Sequence, residues 1–101
     1  MTKLNTLFEV KQAFITRGVE ELQNQELING LDILSMLKKH MCNVDDNEFE
    51  EDREYNLRAI KNGFGRVFSV YNIGDEKIYI VSYLDKNLVS EETTIMLSEE
   101  Y

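Results

Sequence analysis

"RVFSVYNIGDEKIYIVSY", residues 66–83, is the stretch that decides the fold. Two runs of β-branched and aromatic residues flank a Gly-Asp pair, the composition of two strands joined by a tight turn. The expected hairpin pairs 65–72 with 76–83. Apolar residues stand on both faces of its second run, Ile78 and Ile80 on one, Tyr79, Val81 and Tyr83 on the other. A strand buried on both faces belongs inside a sheet rather than at its edge.

Working outward, "VKQAFIT" (10–16) reads as a first strand closed by a turn at Arg17-Gly18. Leu27, Ile28, Leu31, Leu34, Leu37 and Met41 recur at the spacing of one helical stripe and predict a helix over about 25–41. Gly30 lies within it, where glycine costs about 1 kcal/mol relative to alanine, and is expected to allow close packing against a neighbour. A second helix is expected from Asn47, as N-cap with Glu50 three positions on, through Leu57, Ala59 and Ile60 to the stop at Asn62-Gly63. "ETTIMLSEEY" supplies a last strand at about 92–97. The order strand, helix, helix, strand, strand, strand predicts an α+β fold, an antiparallel sheet of about four strands with two helices packed on one face. One domain over 1–101 is expected, with 1–9 flexible.

Composition narrows the function classes. With 43% hydrophobic residues, five Phe and five Tyr, the chain is too apolar for a disordered one. A single cysteine, Cys42, leaves no intramolecular disulfide, and the start "MTKLNTLFEVKQ" lacks the basic and apolar run of a leader. Apolar stretches as short as "IYIV" fall far below the roughly 20 residues of a membrane span. The expected location is the cytoplasm, with no membrane partner. Nineteen acids against eleven bases give a formal charge of −8, which repels phosphates, so direct nucleic-acid binding is not expected. The charge concentrates in "DDNEFEEDRE" (45–54), seven carboxylates against the single Arg53.

Tested against specific chemistry, that run fails as a calcium loop: counting from Asp45, Phe49 and Glu50 stand where a ligand and the turn glycine should be. His40 and Cys42 are too few for a closed zinc site, and two residues apart on a helix they diverge, so they make no nucleophile pair. His40 is read as a structural histidine at a helix C-terminus beside Lys38 and Lys39. "NGFGRV" (62–67) has a helix before it and a strand after, the reverse of a dinucleotide loop, and reads as a corner. The aromatic hairpin residues Phe68, Tyr71, Tyr79 and Tyr83 lack the basic surround of an RNA-binding sheet and are assigned to packing. No catalytic, cofactor-binding or metal-binding residues are assigned, no cofactor is expected, and the chain is read as a non-enzyme.

"ITRGV" (15–19), His40 at a helix end, "EEDREYNLRAIKNGF" (50–64), "FSVY" (68–71), "KIYIV" (77–81) and "TTIMLSEEY" (93–101) resemble a family of short proteins carried by plasmids, conjugative elements and prophages of Firmicutes. The resemblance covers about residues 14–101. It implies a mobile-element origin and brings no activity with it. This chain departs from the family pattern at "NVDD" (43–46), where members have Gly-Asp-Trp-Gly, and at Ser98, where they have proline.

Together these readings predict a small acidic interaction protein of a mobile element or phage. It is expected to inhibit a host nuclease or CRISPR effector by presenting carboxylates in place of phosphates. The candidate partner-binding residues are Asp45, Asp46, Glu48, Glu50, Glu51, Asp52 and Glu54, extended by Glu91, Glu92, Glu99 and Glu100. On a helix, Glu48 with Asp52 and Glu50 with Glu54 would stand about 6 Å apart, comparable to neighbouring phosphates. The alternatives are an acidic run that is simply a solvated helix face, and an adaptor for replication or transfer that works through the hairpin edge or as a homodimer.

Overall fold

In a computed structural model, which describes residues 6–101, the chain runs β1 (Glu9–Ile15), α1 (Arg17–Asn24), α2 (Gly30–Met41), α3 (Glu50–Asn62), β2 (Gly65–Ile73), β3 (Glu76–Leu84) and β4 (Val89–Leu97), ending in a 3-10 turn at Ser98–Glu100. The strands form one sheet in the order β1-β4-β3-β2. β2 with β3 and β3 with β4 pair antiparallel, and the α+β class read from the sequence holds. β1 differs: it joins parallel to β4, with Ala13 beside Thr93 and Ile15 beside Ile95. A parallel strand leaves no local mark, because its pairing depends on a crossover through the whole chain.

The hairpin forms as expected, with Ile73 opposite Glu76 and the loop reduced to Gly74-Asp75. Gly74 alone of the two has positive φ (57°), the demand a two-residue hairpin loop makes on its first position. β3 lies between β2 and β4, so its apolar residues on both faces are accounted for.

The helices depart further from expectation. Arg17-Gly18 opens α1 instead of closing a turn, with Val19 and Leu22 buried as its inner face. α2 starts at Gly30, because Glu26 takes φ 61° and Asn29 forms a reciprocal capping box with Asp32. At Gly30 a Cβ would meet nothing within 4 Å, so close packing inside this chain is not what that glycine serves. Phe49, not Asn47, is the N-cap of α3. The Asn47 side chain turns back to accept from the Phe49 N–H (2.9 Å) and donates to Asp52 Oδ2 (2.9 Å). Gly63 ends α3 in the left-handed conformation (φ 66°), as the Asn-Gly stop predicts.

All three helices contribute to the core on one face of the sheet. Val19, Leu22, Ile28 and Met36 meet Tyr71, Ile78, Ile80, Ile95 and Leu97. Ala59 of α3 joins Phe8, Val67 and Leu84 at the other end. Of the start expected to be flexible, 1–9, residues 1–5 lie outside the described residues, whereas Phe8 is buried in the core and Glu9 begins β1. The opposite face carries a smaller cluster of Phe68, Val70 and Val81, edged by Tyr79 and Met96. Tyr101 lies 5.7 Å from both Phe68 and Tyr79, ring to ring. Packing therefore occupies Phe68 and Tyr71, while Tyr83 remains 64% exposed.

A clasp ties the start of α1 to the chain end. Glu100 Oε1 accepts from Thr16 Oγ1 (2.5 Å) and the Leu97 N–H (2.8 Å), and Oε2 accepts from the Gly18 N–H (3.2 Å). These bonds, the one from Thr16 foremost, hold the Glu100 carboxyl below the usual carboxylate range. A Cβ on Gly18 would stand 2.7 Å from Glu100 Oε1 and from Leu97 Cδ1. Alanine there improves helix propensity by up to about 1 kcal/mol, yet Gly18→Ala should lower stability by about 1 kcal/mol, because it displaces the clasp. In a Glu100→Ala background the same change should cost less, because only the contact with Leu97 remains to be relieved. Urea midpoints of the four proteins test this, and equal effects of Gly18→Ala in both backgrounds would show that the clasp does not set the cost.

Candidate functional site

The acidic run divides when the chain folds. Asp45 and Asp46 both bond along the open side of β2, Asp45 with its side chain buried and Asp46 still exposed. Asp45 Oδ2 accepts from the Val70 N–H (2.9 Å), and its other oxygen meets Arg53 at 3.4 Å, leaving the Asp45 side chain 3% exposed. The Asp46 N–H donates to the Val70 carbonyl (2.8 Å) and its Oδ2 accepts from the Asn72 N–H (3.0 Å). Nearly two turns into α3, Asn56 accepts from the Phe68 N–H (2.9 Å) and donates to the Phe68 carbonyl (2.7 Å) and to Asn43 Oδ1 (3.0 Å). Outward backbone groups of β2 thus find partners in a loop and a helix, which also closes the hairpin edge to a docking strand.

Glu48, Glu50, Glu51 and Glu54 face outward, and none forms an ion pair among the described residues, where Arg53 is occupied by Asp45. Glu48 precedes α3, so the helical pairing expected with Asp52 does not form, whereas Glu50 and Glu54 stand one turn apart. Glu50, Glu51 and Asp52 in the first turn of α3 oppose the positive end of its dipole, which offsets their mutual repulsion. Exposed aromatic rings sit among them, Phe49 at 71% and Tyr55 at 66%. Arg58 lies over the Tyr55 ring at 5.7 Å. Two shallow clefts flank Asp52 and Phe68, one of about 340 Å³ lined by Tyr55, Arg58, Phe64 and Arg66, the other of about 290 Å³ lined by Glu48, Phe49, Lys77 and Tyr79.

Glu91 and Glu92 do not join this surface. Glu91, paired with Lys11 at 3.4 Å, and Glu92 lie on β4 beyond β3, near the Leu84 end of the sheet, while Asp45 and Asp46 meet β2 near Val70 and Asn72. Glu100 is engaged in the clasp, and Glu99 beside it is exposed. Among the described residues no three His, Cys, Asp or Glu side chains converge so as to hold a metal ion, and no helix is long and apolar enough to cross a membrane.

His40 is a structural histidine in the last turn of α2, as its reading from the sequence has it, but side chains of the sheet hold it, not the helix dipole. It is wholly buried, with Nδ1 2.7 Å from Ser69 Oγ, Nε2 2.8 Å from Ser82 Oγ, and Phe8 edge-on at 5.3 Å. Proton counting fixes its tautomer. Ser90 donates to the Glu92 carbonyl and Thr93 to Ser90, so Ser82 must donate to Thr93 at 2.6 Å. Ser82 then has only a lone pair for the imidazole, which makes Nε2 the protonated nitrogen and Nδ1 the acceptor from Ser69. Burial pushes the His40 pKa down to about 3, so the ring is neutral near pH 7. No signal in the sequence marked Ser69, Ser82 and Thr93 as its partners beyond their inward places on alternating strands.

Much of what carried the family resemblance is thereby explained as architecture: Thr16 and Gly18 in the clasp, His40 in the core, Asn56 at the sheet edge. No family model, no curated protein and no solved structure matches this chain.

Proposed function

We propose that this chain is a non-catalytic acidic binding protein of a mobile element or phage. Its partner is a host protein that grips nucleic acid, a restriction nuclease or CRISPR effector, which it inhibits by placing carboxylates in a phosphate-binding cleft. One observation carries this reading: Phe49 and Tyr55 stand more than half exposed among Glu48, Glu50, Glu51 and Glu54, none of which forms an ion pair among the described residues. A solvated helix face requires charge but not aromatic rings, whereas interfaces are enriched in aromatics and arginine. The surface comprises these residues with Asp46 and Asp52, whereas Asp45 is buried against β2.

The expected result is direct binding to such a nuclease or effector, measured by calorimetry with purified components, and loss of its cleavage activity. Changing Glu48, Glu50, Glu51 and Glu54 together to glutamine should weaken binding by about 100-fold or more while leaving the thermal midpoint nearly unchanged. Association should slow by about 10-fold or more as ionic strength is raised from low to physiological. Binding that survives both the amide substitutions and high salt would defeat the phosphate-mimic mechanism.

A further inference from the structure

The cleft of about 340 Å³ between α3 and β2 has a chemistry opposite to that of the chain as a whole. It is lined by two arginines, Arg58 from α3 and Arg66 from β2. Neither forms an ion pair among the described residues, in a chain with nineteen acids against eleven bases. Asp52 also borders the cleft, but its carboxylate accepts from the Asn47 side chain. Each arginine lies over a ring instead, Arg58 over Tyr55 at 5.7 Å and Arg66 over Phe68 at 5.3 Å, and Arg66 donates to the Tyr101 hydroxyl. A guanidinium stacked on a ring uses its flat face, which leaves N–H donors around its edge for an oxyanion. The corner beside them is set by the backbone. Gly63 (φ 66°) and Gly65 (φ 124°) flank Phe64, whose N–H donates to the Ala59 carbonyl (3.1 Å) and whose ring is 80% exposed at the cleft. A Cβ on Gly65 would stand 3.3 Å from that of Ala59, so the absence of a side chain there keeps the bottom of the cleft open.

We propose that this cleft binds a nucleoside monophosphate, with the phosphate between Arg58 and Arg66 and the base stacked on Phe64. Two guanidiniums match the near-double charge of a phosphate monoester better than the single charge of a carboxylate. Phe64 offers a flat apolar platform, which the π face of any base accepts, and Asn62 in the lining carries an amide for the base edge. The volume lies at the lower end of small-ligand sites and suits one nucleotide rather than a dinucleotide. A longer strand is disfavoured by charge, because Glu50, Glu51 and Glu54 on the same helix repel the phosphates it would carry beyond the cleft. The assignment does not depend on what the acidic surface binds, since Arg58, Arg66 and Phe64 are not part of that surface.

Calorimetric titration of the full chain with adenosine monophosphate at low salt should show one site with a dissociation constant of about 10–100 µM. Adenosine and inorganic phosphate, each lacking half of the recognised group, should bind at least about 10-fold more weakly. Arg58→Gln and Arg66→Gln should each weaken nucleotide binding about 10-fold, and Phe64→Ala about 5-fold without altering the response to inorganic phosphate. All three side chains are exposed, so circular dichroism and thermal midpoints should match wild type. Lys61→Gln removes one charge from α3 outside the cleft and should change affinity less than about twofold. No binding of adenosine, guanosine, cytidine or uridine monophosphate at millimolar concentration would overturn the proposal, as would equal losses in Lys61→Gln and the arginine variants. Inorganic phosphate that binds as tightly as the nucleotide would reveal an adventitious ion only. A phosphorylated oligonucleotide that binds more tightly than the monophosphate would give the cleft to a strand, and either result overturns the assignment.

Discussion

Replacing His40 with glutamine should remove most of the sensitivity of this fold to mild acid while costing about 3 kcal/mol of stability near neutral pH. His40 is neutral in the folded chain, with its pKa lowered from 6.5 to about 3, and regains its ordinary value on unfolding. Between those values the unfolded state binds a proton that the folded state refuses, so stability rises with pH across the window and is lost as pH falls through it. Between pH 6.5 and about pH 4.5 the loss amounts to about 2 kcal/mol, a large share of what a domain of this size holds in reserve. Glu100 adds a loss with the same direction at lower pH, because its carboxyl must be charged to hold Thr16, Leu97 and Gly18. Comparison of wild type with His40→Gln isolates the histidine, since Glu100 is common to both. Urea unfolding across this range should give a steep dependence for wild type and a shallower one for the variant. Parallel curves would mean that the buried imidazole is not the acid-sensitive group. His40→Ala should cost more at every pH, about 3–5 kcal/mol, since it also leaves a void against Phe8 and strands the hydroxyls of Ser69 and Ser82.

The reach of the sequence follows from which interactions are local. The hairpin was legible because alternation and a Gly-Asp turn are properties of adjacent residues, and the end of α3 because Asn62-Gly63 is. α2 was placed five residues too early because Leu27 and Ile28 continue its apolar stripe, even though "NGLD" (29–32) held the capping box that starts it. Arg17-Gly18 reads as a turn, although it opens α1, because Gly18 serves a contact with Glu100, 82 residues away. The parallel pairing of β1 is equally remote. The acidic run shows the limit most directly. Charge was visible, but whether a carboxylate faces water or a strand depends on where the edge of β2 falls, and only the fold reveals that Asp45 and Asp46 are bound there. The same distance hid Asn56, whose partner is the backbone of Phe68.

Asn56 also provides a titration of opposite sign. It is 2% exposed and holds both backbone groups of Phe68 on the outer edge of β2. Asn56→Ala leaves a buried N–H and a buried carbonyl without partners, at a cost of about 3 kcal/mol. Asn56→Asp keeps an acceptor for the Phe68 N–H but points a second oxygen at the Phe68 carbonyl and at Asn43 Oδ1, where donors are required. The charged form should therefore cost at least as much as alanine at pH 7. Protonation turns that oxygen into a donor, so the introduced carboxyl gains a folded-state pKa above its unfolded one. Stability relative to wild type is then recovered as pH falls, while His40 drives both proteins the other way. The difference between Asn56→Asp and wild type should narrow by about 1 kcal/mol or more between pH 7 and about pH 4.5. Amide exchange at Phe68, Val70 and Asn72 should accelerate together in both variants, because Asn56 anchors the segment that also carries Asp45 and Asp46 to the strand. The uncovered edge of β2 should then pair with other chains, and light scattering at high protein concentration should rise for Asn56→Ala above wild type. Exchange confined to Phe68, with no added scattering, would limit Asn56 to a single contact and leave the protection of the edge to Asp45 and Asp46 alone.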